Sequence, residues 1–165
     1  MQEIATLEKT SDAATQLSNP AFHTNLPFPF IGRTLPNRFK MDKTQKWFYM
    51  GREKFVELLN SLDDEEWGIN RSALWVYGTK GYGKSHILAA LICYLSAKGM
   101  RVIYIPDCRE CIKDPVEYFR TAMLFAWADD NKMQKLIITL DTLDKIHNFF
   151  NFSKKPRTSY LSLIK

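Results

Sequence analysis

From Gly78 to Ser85 the chain reads Gly-Thr-Lys-Gly-Tyr-Gly-Lys-Ser, a gapless match to G-x-x-x-x-G-K-[S/T], and three of its seven glycines fall in the first six of these positions. Residue types in that order answer to the chemistry of a polyphosphate. Dense negative charge is best surrounded by backbone N–H groups converging from a loop wrapped around it, and glycine removes the side chains that would obstruct the wrap. A helix opening at about Gly83 aims its positive end and unpaired amides at the same oxygens. Lys84 reaches the β and γ oxygens as a mobile point charge, and Ser85 offers its hydroxyl to Mg2+. The expected nucleotide contacts are Gly78, Thr79, Lys80, Gly81, Tyr82, Gly83, Lys84, Ser85 and His86, with Lys84 catalytic and Ser85 a metal ligand.

The surroundings suit such a loop. Residues 73–77 are β-branched and aromatic and stop at Gly78, as a buried strand would. Residues 84–98 contain no Pro or Gly, and Gly99 supplies a left-handed stop, which predicts a helix. Residues 102–105 read as the next strand, closed by Pro106. Asp114, Pro115 and Glu117 then form a helix start, with Asp as cap, Pro at the first helical position and Glu completing a capping box, and this helix runs to about Trp127. Strand, helix and strand with short connections imply parallel strands and a right-handed crossover. The expected class is α/β, a partial P-loop NTPase fold with parallel strands and flanking helices.

Upstream, Phe55, Val56, Leu58, Leu59 and Leu62 recur at helical spacing and predict a helix over 52–62. Four of seven prolines fall in the first 40 residues, where no apolar period is sustained, so residues 1–46 read as an irregular leader or linker. Residues 47–152 are the N-terminal part of the NTPase domain and 153–165 a basic tail. Between Lys145 and Lys165 there are five basic residues and no acidic one, which accounts for the net charge of +5 and makes the tail a candidate nucleic-acid contact. A length of 165 residues with 45% hydrophobic content suits one globular core. The longest apolar run, residues 87–95, is far below the roughly 20 residues of a membrane span, and the N-terminus carries no readable secretory signal. Three cysteines are too few for a disulfide framework and fit an intracellular, reducing compartment.

Hydrolysis needs a carboxylate for Mg2+ beyond the loop itself. Asp141 follows the apolar run Leu136-Ile137-Ile138-Thr139-Leu140, as in a strand ending on a metal-ligating Asp, but it also precedes a helix carrying Ile146, Phe149 and Phe150, and a cap for that helix is the favoured reading. Asp107, after Pro106, is a second acidic position near the expected site, and Asp144 reads as a first-turn acid. Cys108-Arg109-Glu110-Cys111 lacks further zinc ligands at a suitable spacing, and a redox role would need it to open a helix; Asp114-Pro115 places that opening later, so two ordinary thiols are expected. Tyr49 and Met50 offer a surface for a flat base, with core packing as the default.

The run from Trp75 through the loop to Ala90, with Arg101-Val102-Ile103-Tyr104-Ile105-Pro106-Asp107-Cys108, resembles the NTPase module of Crinkler-type effectors, which is similar to that of retrotransposon hot spot proteins. Trp47 to Phe55 is also similar, and its Gly51-Arg52-Glu53 resembles the base-side box of the wider AAA+/STAND class, which implies Gly51 and Arg52 as nucleotide contacts. The resemblance implies ATP as the nucleotide, a fused C-terminal effector domain or an oligomer in full-length relatives, and secretion into a host cell with action in its nucleus. It also places the Walker B strand after the helix holding Thr142 to Phe150, where the chain instead gives Ser153-Lys154-Lys155-Pro156-Arg157-Thr158 and no acidic residue, so a truncated module is expected. An ATPase module and a non-hydrolysing nucleotide-binding or interaction fragment with a nucleic-acid-contacting tail are the competing functions.

Overall fold

A computed structural model of the chain describes residues 12–32, 36–63, 76–152 and 161–163. The described elements are helix α1 (Ala13–Ser18), strands β1 (His23–Pro27) and β2 (Lys46–Met50), helices α2 (Lys54–Asp63) and α3 (Lys84–Ala97), strand β3 (Val102–Tyr104), helices α4 (Cys108–Lys113), α5 (Pro115–Ala126), α6 (Asn131–Ile138) and α7 (Leu143–Phe152), and strand β4 (Leu161–Leu163). The fold is mixed α/β. It divides into two compact units, Met1–Phe28 with Phe39–Lys98, and Pro29–Arg38 with Gly99–Lys165.

In the first unit β1 and β2 pair antiparallel, with Leu26 opposite Trp47 and Thr24 opposite Tyr49. The pleat sends alternate β2 side chains inward: Trp47 and Tyr49 are each 1% exposed, whereas Phe48 is 60% exposed. Phe39 and Tyr49 meet Trp47 edge-on at 5.2 and 5.5 Å. Leu17 of α1 is fully buried, and its carbonyl oxygen accepts from the Tyr49 hydroxyl at 3.1 Å and the Arg52 amide at 2.9 Å. Helix α3 buries ten of its fourteen residues, in keeping with a sequence that is apolar almost all round.

The expected irregular leader is therefore corrected. Residues before 47 contribute α1 and β1, because Leu17 and Leu26 have a hydrophobic core to join even though their local sequence shows no sustained period.

The second unit is built on α5, which packs against β3, α4, α6 and α7. Asp114 caps α5 by accepting from the Glu117 amide at 3.2 Å, with Pro115 at the first turn. Phe30 lies against Tyr118 with ring centroids 4.7 Å apart, and Trp127 meets Phe149 edge-on at 5.6 Å. Arg101 grips Asp129 and also donates to the Ala126 carbonyl at 2.9 Å, satisfying an acceptor at the C-terminus of α5.

The expected crossover of parallel strands around the glycine loop is not seen. Residues 73–75 of its first strand lie outside the described residues, and Val76 and Tyr77 carry no strand. Strand β3 instead aligns in parallel with β4, a three-residue pairing of Val102 with Leu161 and Tyr104 with Leu163. The tail thus supplies a strand at 161–163, while its residues 153–160 and 164–165 lie outside the described residues.

Residues 136–140, for which a strand ending at Asp141 is the less favoured reading, fall mainly in α6, which Asp130 caps by accepting from the Lys132 and Met133 amides, each at 3.0 Å. A short apolar run does not distinguish a strand from one buried side of a helix, and here the cap decides.

Candidate nucleotide-binding loop

The backbone of the glycine segment is bent as its sequence requires. Gly78, Gly81 and Gly83 have φ of +141°, +94° and +75°, conformations that L side chains rarely adopt. A Cβ on Gly81 would meet nothing within 4 Å, so the turn is open there. Gly83 is the N-cap of α3 and has no side chain with which to cap it. Its carbonyl accepts from the His86 and Ile87 amides, closing the first turn.

The Lys84 ammonium folds back over the loop and donates to the Gly78 and Thr79 carbonyl oxygens at 2.8 and 2.7 Å. It is thereby held on the same turn whose amides would meet phosphate, and these two neutral acceptors are ones that an anion would outcompete. Ser85 is buried in the first turn of α3, whereas Tyr82 is 77% and Tyr77 92% exposed. Thr79 and Lys80 are also exposed, so the loop presents its backbone and one cation outward.

Arg52 approaches this turn from the segment between β2 and α2. A Cβ on Gly83 would lie 2.7 Å from an Arg52 terminal nitrogen and 2.8 Å from its Cζ, which places the guanidinium against the loop's last glycine. The Arg52 Nε is buried and has no hydrogen-bond partner among the described residues. A cation beside the positive end of a helix, with a buried donor unpaired, is an arrangement that an anion would relieve.

The other residues expected at the site serve the fold. Gly51 donates its amide to the Phe22 carbonyl at 2.9 Å, and a Cβ there would come within 2.0 Å of the Asn19 carbonyl oxygen. The His86 ring packs against both Phe39 and Trp47, with centroids 4.8 and 5.3 Å away. Tyr49 is buried, its hydroxyl bonded to Leu17 and its pKa pushed well up by burial, so it offers no open face to a base.

The acidic candidates occupy helix starts in the second unit. The Asp141 carboxylate pairs with Lys145 at 2.7 Å, which holds it below the usual carboxylate range. The cap of α7 is Thr142, whose hydroxyl accepts from the Lys145 amide at 3.2 Å. Asp107 caps α4 by accepting from the Arg109 amide at 3.0 Å. No group of three or more His, Cys, Asp or Glu suited to a metal ion occurs among the described residues. Sequence reasoning missed the tie between Arg38 and the Pro106 carbonyl, which spans 68 positions and has no local signal.

A family model described as mitochondrial ribosomal death-associated protein 3 matches residues 49–145, more than half of the chain and the whole glycine segment. No curated protein and no solved structure matches the chain. The family match overturns the resemblance to Crinkler-type effectors, which rested on the glycine segment, the Arg101–Cys108 stretch and Gly51-Arg52-Glu53: short motifs of a shared fold do not by themselves fix a family. The expected effector role and secretion into a host cell and its nucleus rested on that resemblance and fall with it, since the matching family is a mitochondrial one. No helix among the described residues is long and apolar enough to cross a membrane.

Proposed function

The chain belongs to the mitochondrial ribosomal death-associated protein 3 family, and on that footing we propose that it binds a nucleoside triphosphate through Gly78–Ser85 as a component of the mitochondrial ribosome. The observation that carries the reading is the loop itself: three glycines at positive φ bend the backbone just before α3, and the Lys84 ammonium is folded back onto that turn. Backbone amides of Thr79 to Lys84 would hold the phosphates, Lys84 would exchange its two carbonyl acceptors for phosphate oxygens, and Ser85 would present its hydroxyl to Mg2+. Arg52, with its buried unpaired Nε, would supply a second cation. ATP was implied by the overturned resemblance; we keep it as the first occupant to test, since these 165 residues hold no Asn-Lys-x-Asp run of the kind that reads guanine.

Equilibrium titration with fluorescent ATP and GTP, with and without Mg2+, tests the proposal. Loss of one charge-assisted contact predicts that Lys84→Ala weakens binding about 10- to 100-fold. Lys132→Ala, an exposed lysine of α6, should leave it unchanged. Equal affinity of wild type and Lys84→Ala would overturn the reading, and preference for GTP would overturn the choice of base alone. Co-sedimentation of the full chain with mitochondrial ribosomes tests the assembly.

Binding without turnover is the second reading, favoured by the engagement of Asp141 with Lys145. Phosphate release by wild type and not by Asp141→Asn would sink it.

A further inference from the structure

Two of the three cysteines lie where they can meet. Cys93 is fully buried in α3, donates to the Pro27 carbonyl at 3.2 Å, and has its thiol pushed up to about 12 by burial. Cys108 and Cys111 are half-exposed and not disulfide-bonded. The sequence places the helix start after both of them, which removes the usual setting of a Cys-x-x-Cys pair. The structure reverses this: Asp107 caps α4, so the two thiols are the first and fourth residues of one helix. The capping box at Asp114 is real, but it opens the next helix.

Helix geometry then sets their separation. Residues three apart have Cα atoms about 5 Å apart and Cβ atoms about 5–6 Å apart on one side of the helix. A disulfide needs Cα atoms about 4.4–6.8 Å apart and Cβ atoms about 3.5–4.5 Å apart. The Cα requirement is met, and the Cβ requirement asks for a closure of about 1–2 Å, within reach of one turn tightening toward 3-10 geometry. Helix α4 has six residues and ends at the Asp114–Pro115 junction, so such tightening propagates no further along a regular ladder. Its base is firmly placed, with the Asp107 amide donating to the Tyr118 hydroxyl at 3.0 Å and Arg38 bonded to the Pro106 carbonyl. Burial and the neighbouring Cys108 both raise the Cys111 pKa.

We propose that Cys108 and Cys111 are a reversible redox-modification site, closing to an intrahelical disulfide by exchange with a low-molecular-weight disulfide of the glutathione class. The Cys108 thiolate attacks one sulfur of glutathione disulfide, expels one glutathione thiolate and leaves a mixed disulfide on Cys108. Cys111, deprotonated to solvent, then attacks the Cys108 sulfur, breaks the mixed disulfide and releases the second glutathione. Two protein thiols are oxidised and one glutathione disulfide is reduced to two thiols. The same exchange balances with the two thiols in the opposite order.

The test uses the full chain and needs no nucleotide. It is equilibrated in glutathione buffers of increasing oxidised fraction, quenched with acid, alkylated and mapped by peptide mass. We expect joint loss of alkylation at Cys108 and Cys111, a peptide lighter by two hydrogens, and full recovery with dithiothreitol, while Cys93 reacts only after unfolding. Cys111→Ser and Cys108→Ser should each accumulate the mixed disulfide on the remaining thiol about tenfold over wild type, because the resolving thiol is gone. Persistent alkylation of both thiols in the most oxidising buffer would overturn the proposal. So would disulfides formed only between chains, or mixed-disulfide levels in both variants no higher than in wild type.

Discussion

Gly51 and Gly83 are both glycines by necessity, for different physical reasons. At Gly51 the obstacle is backbone: the Asn19 carbonyl oxygen stands 2.0 Å from where a Cβ would be, and neither strand nor loop can retreat without breaking the Gly51–Phe22 hydrogen bond. Gly51→Ala is expected to cost about 1–3 kcal/mol, read as a lower urea midpoint, with nucleotide affinity falling only as far as the folded fraction does. At Gly83 the obstacle is the end of the Arg52 side chain, which can swing aside, but φ of +75° remains strained for any residue with a Cβ. Gly83→Ala should therefore cost about 1–2 kcal/mol in stability and weaken nucleotide binding further, since it displaces Arg52 from the loop. A variant that loses stability and keeps full affinity would refute the placement of Arg52 at the site.

At the scale of elements, helix starts decide most of the second unit. Helices α4, α5 and α6 each begin at an aspartate whose carboxylate accepts a backbone amide: Asp107, Asp114 and Asp130. Asp114→Ala should destabilise the chain by about 1 kcal/mol, measured by urea titration. Only the Asp114 start stands out in the sequence, where Pro115 and Glu117 reinforce it. The Asp107 cap is masked by a proline before it and a second helix start soon after, and the Asp130 cap by an apolar run that reads equally as a strand. The long helix α3 was legible because residues 84–98, without Gly or Pro, end against a glycine, and Gly99 indeed takes φ of +76°. Strand β1 was not, since a strand of sequence His-Thr-Asn-Leu-Pro is held by its pairing with β2 rather than by its own propensity.

For the molecule as a whole, the Arg101–Asp129 pair gives stability a readable pH dependence. The Arg101 guanidinium holds the Asp129 carboxyl below its ordinary value, so the pair's contribution is complete above the unfolded carboxylate pKa of about 3.9 and is lost as pH falls through the folded value. The pair is partly solvated, which keeps that contribution under about 1 kcal/mol. Asp129→Asn should be less stable than wild type near neutral pH and converge with it in acid; a constant gap in urea midpoints across that range would refute the assignment.

The sequence by itself determined the bent glycine loop ahead of α3, because its three positive-φ positions are written as glycines in local order. It determined α3 and the start of α5 for the same reason, since periodicity and caps act within one or two turns. Only the tertiary structure decided that Arg52 rests on Gly83, that Gly51 is forced by Asn19 and that β1 joins β2, because each depends on groups brought together from distant positions. It also decided that Cys108 and Cys111 share one helical turn, because a cap forms only where the preceding backbone is held extended, and here Arg38 and Tyr118 tie that backbone down from elsewhere in the chain.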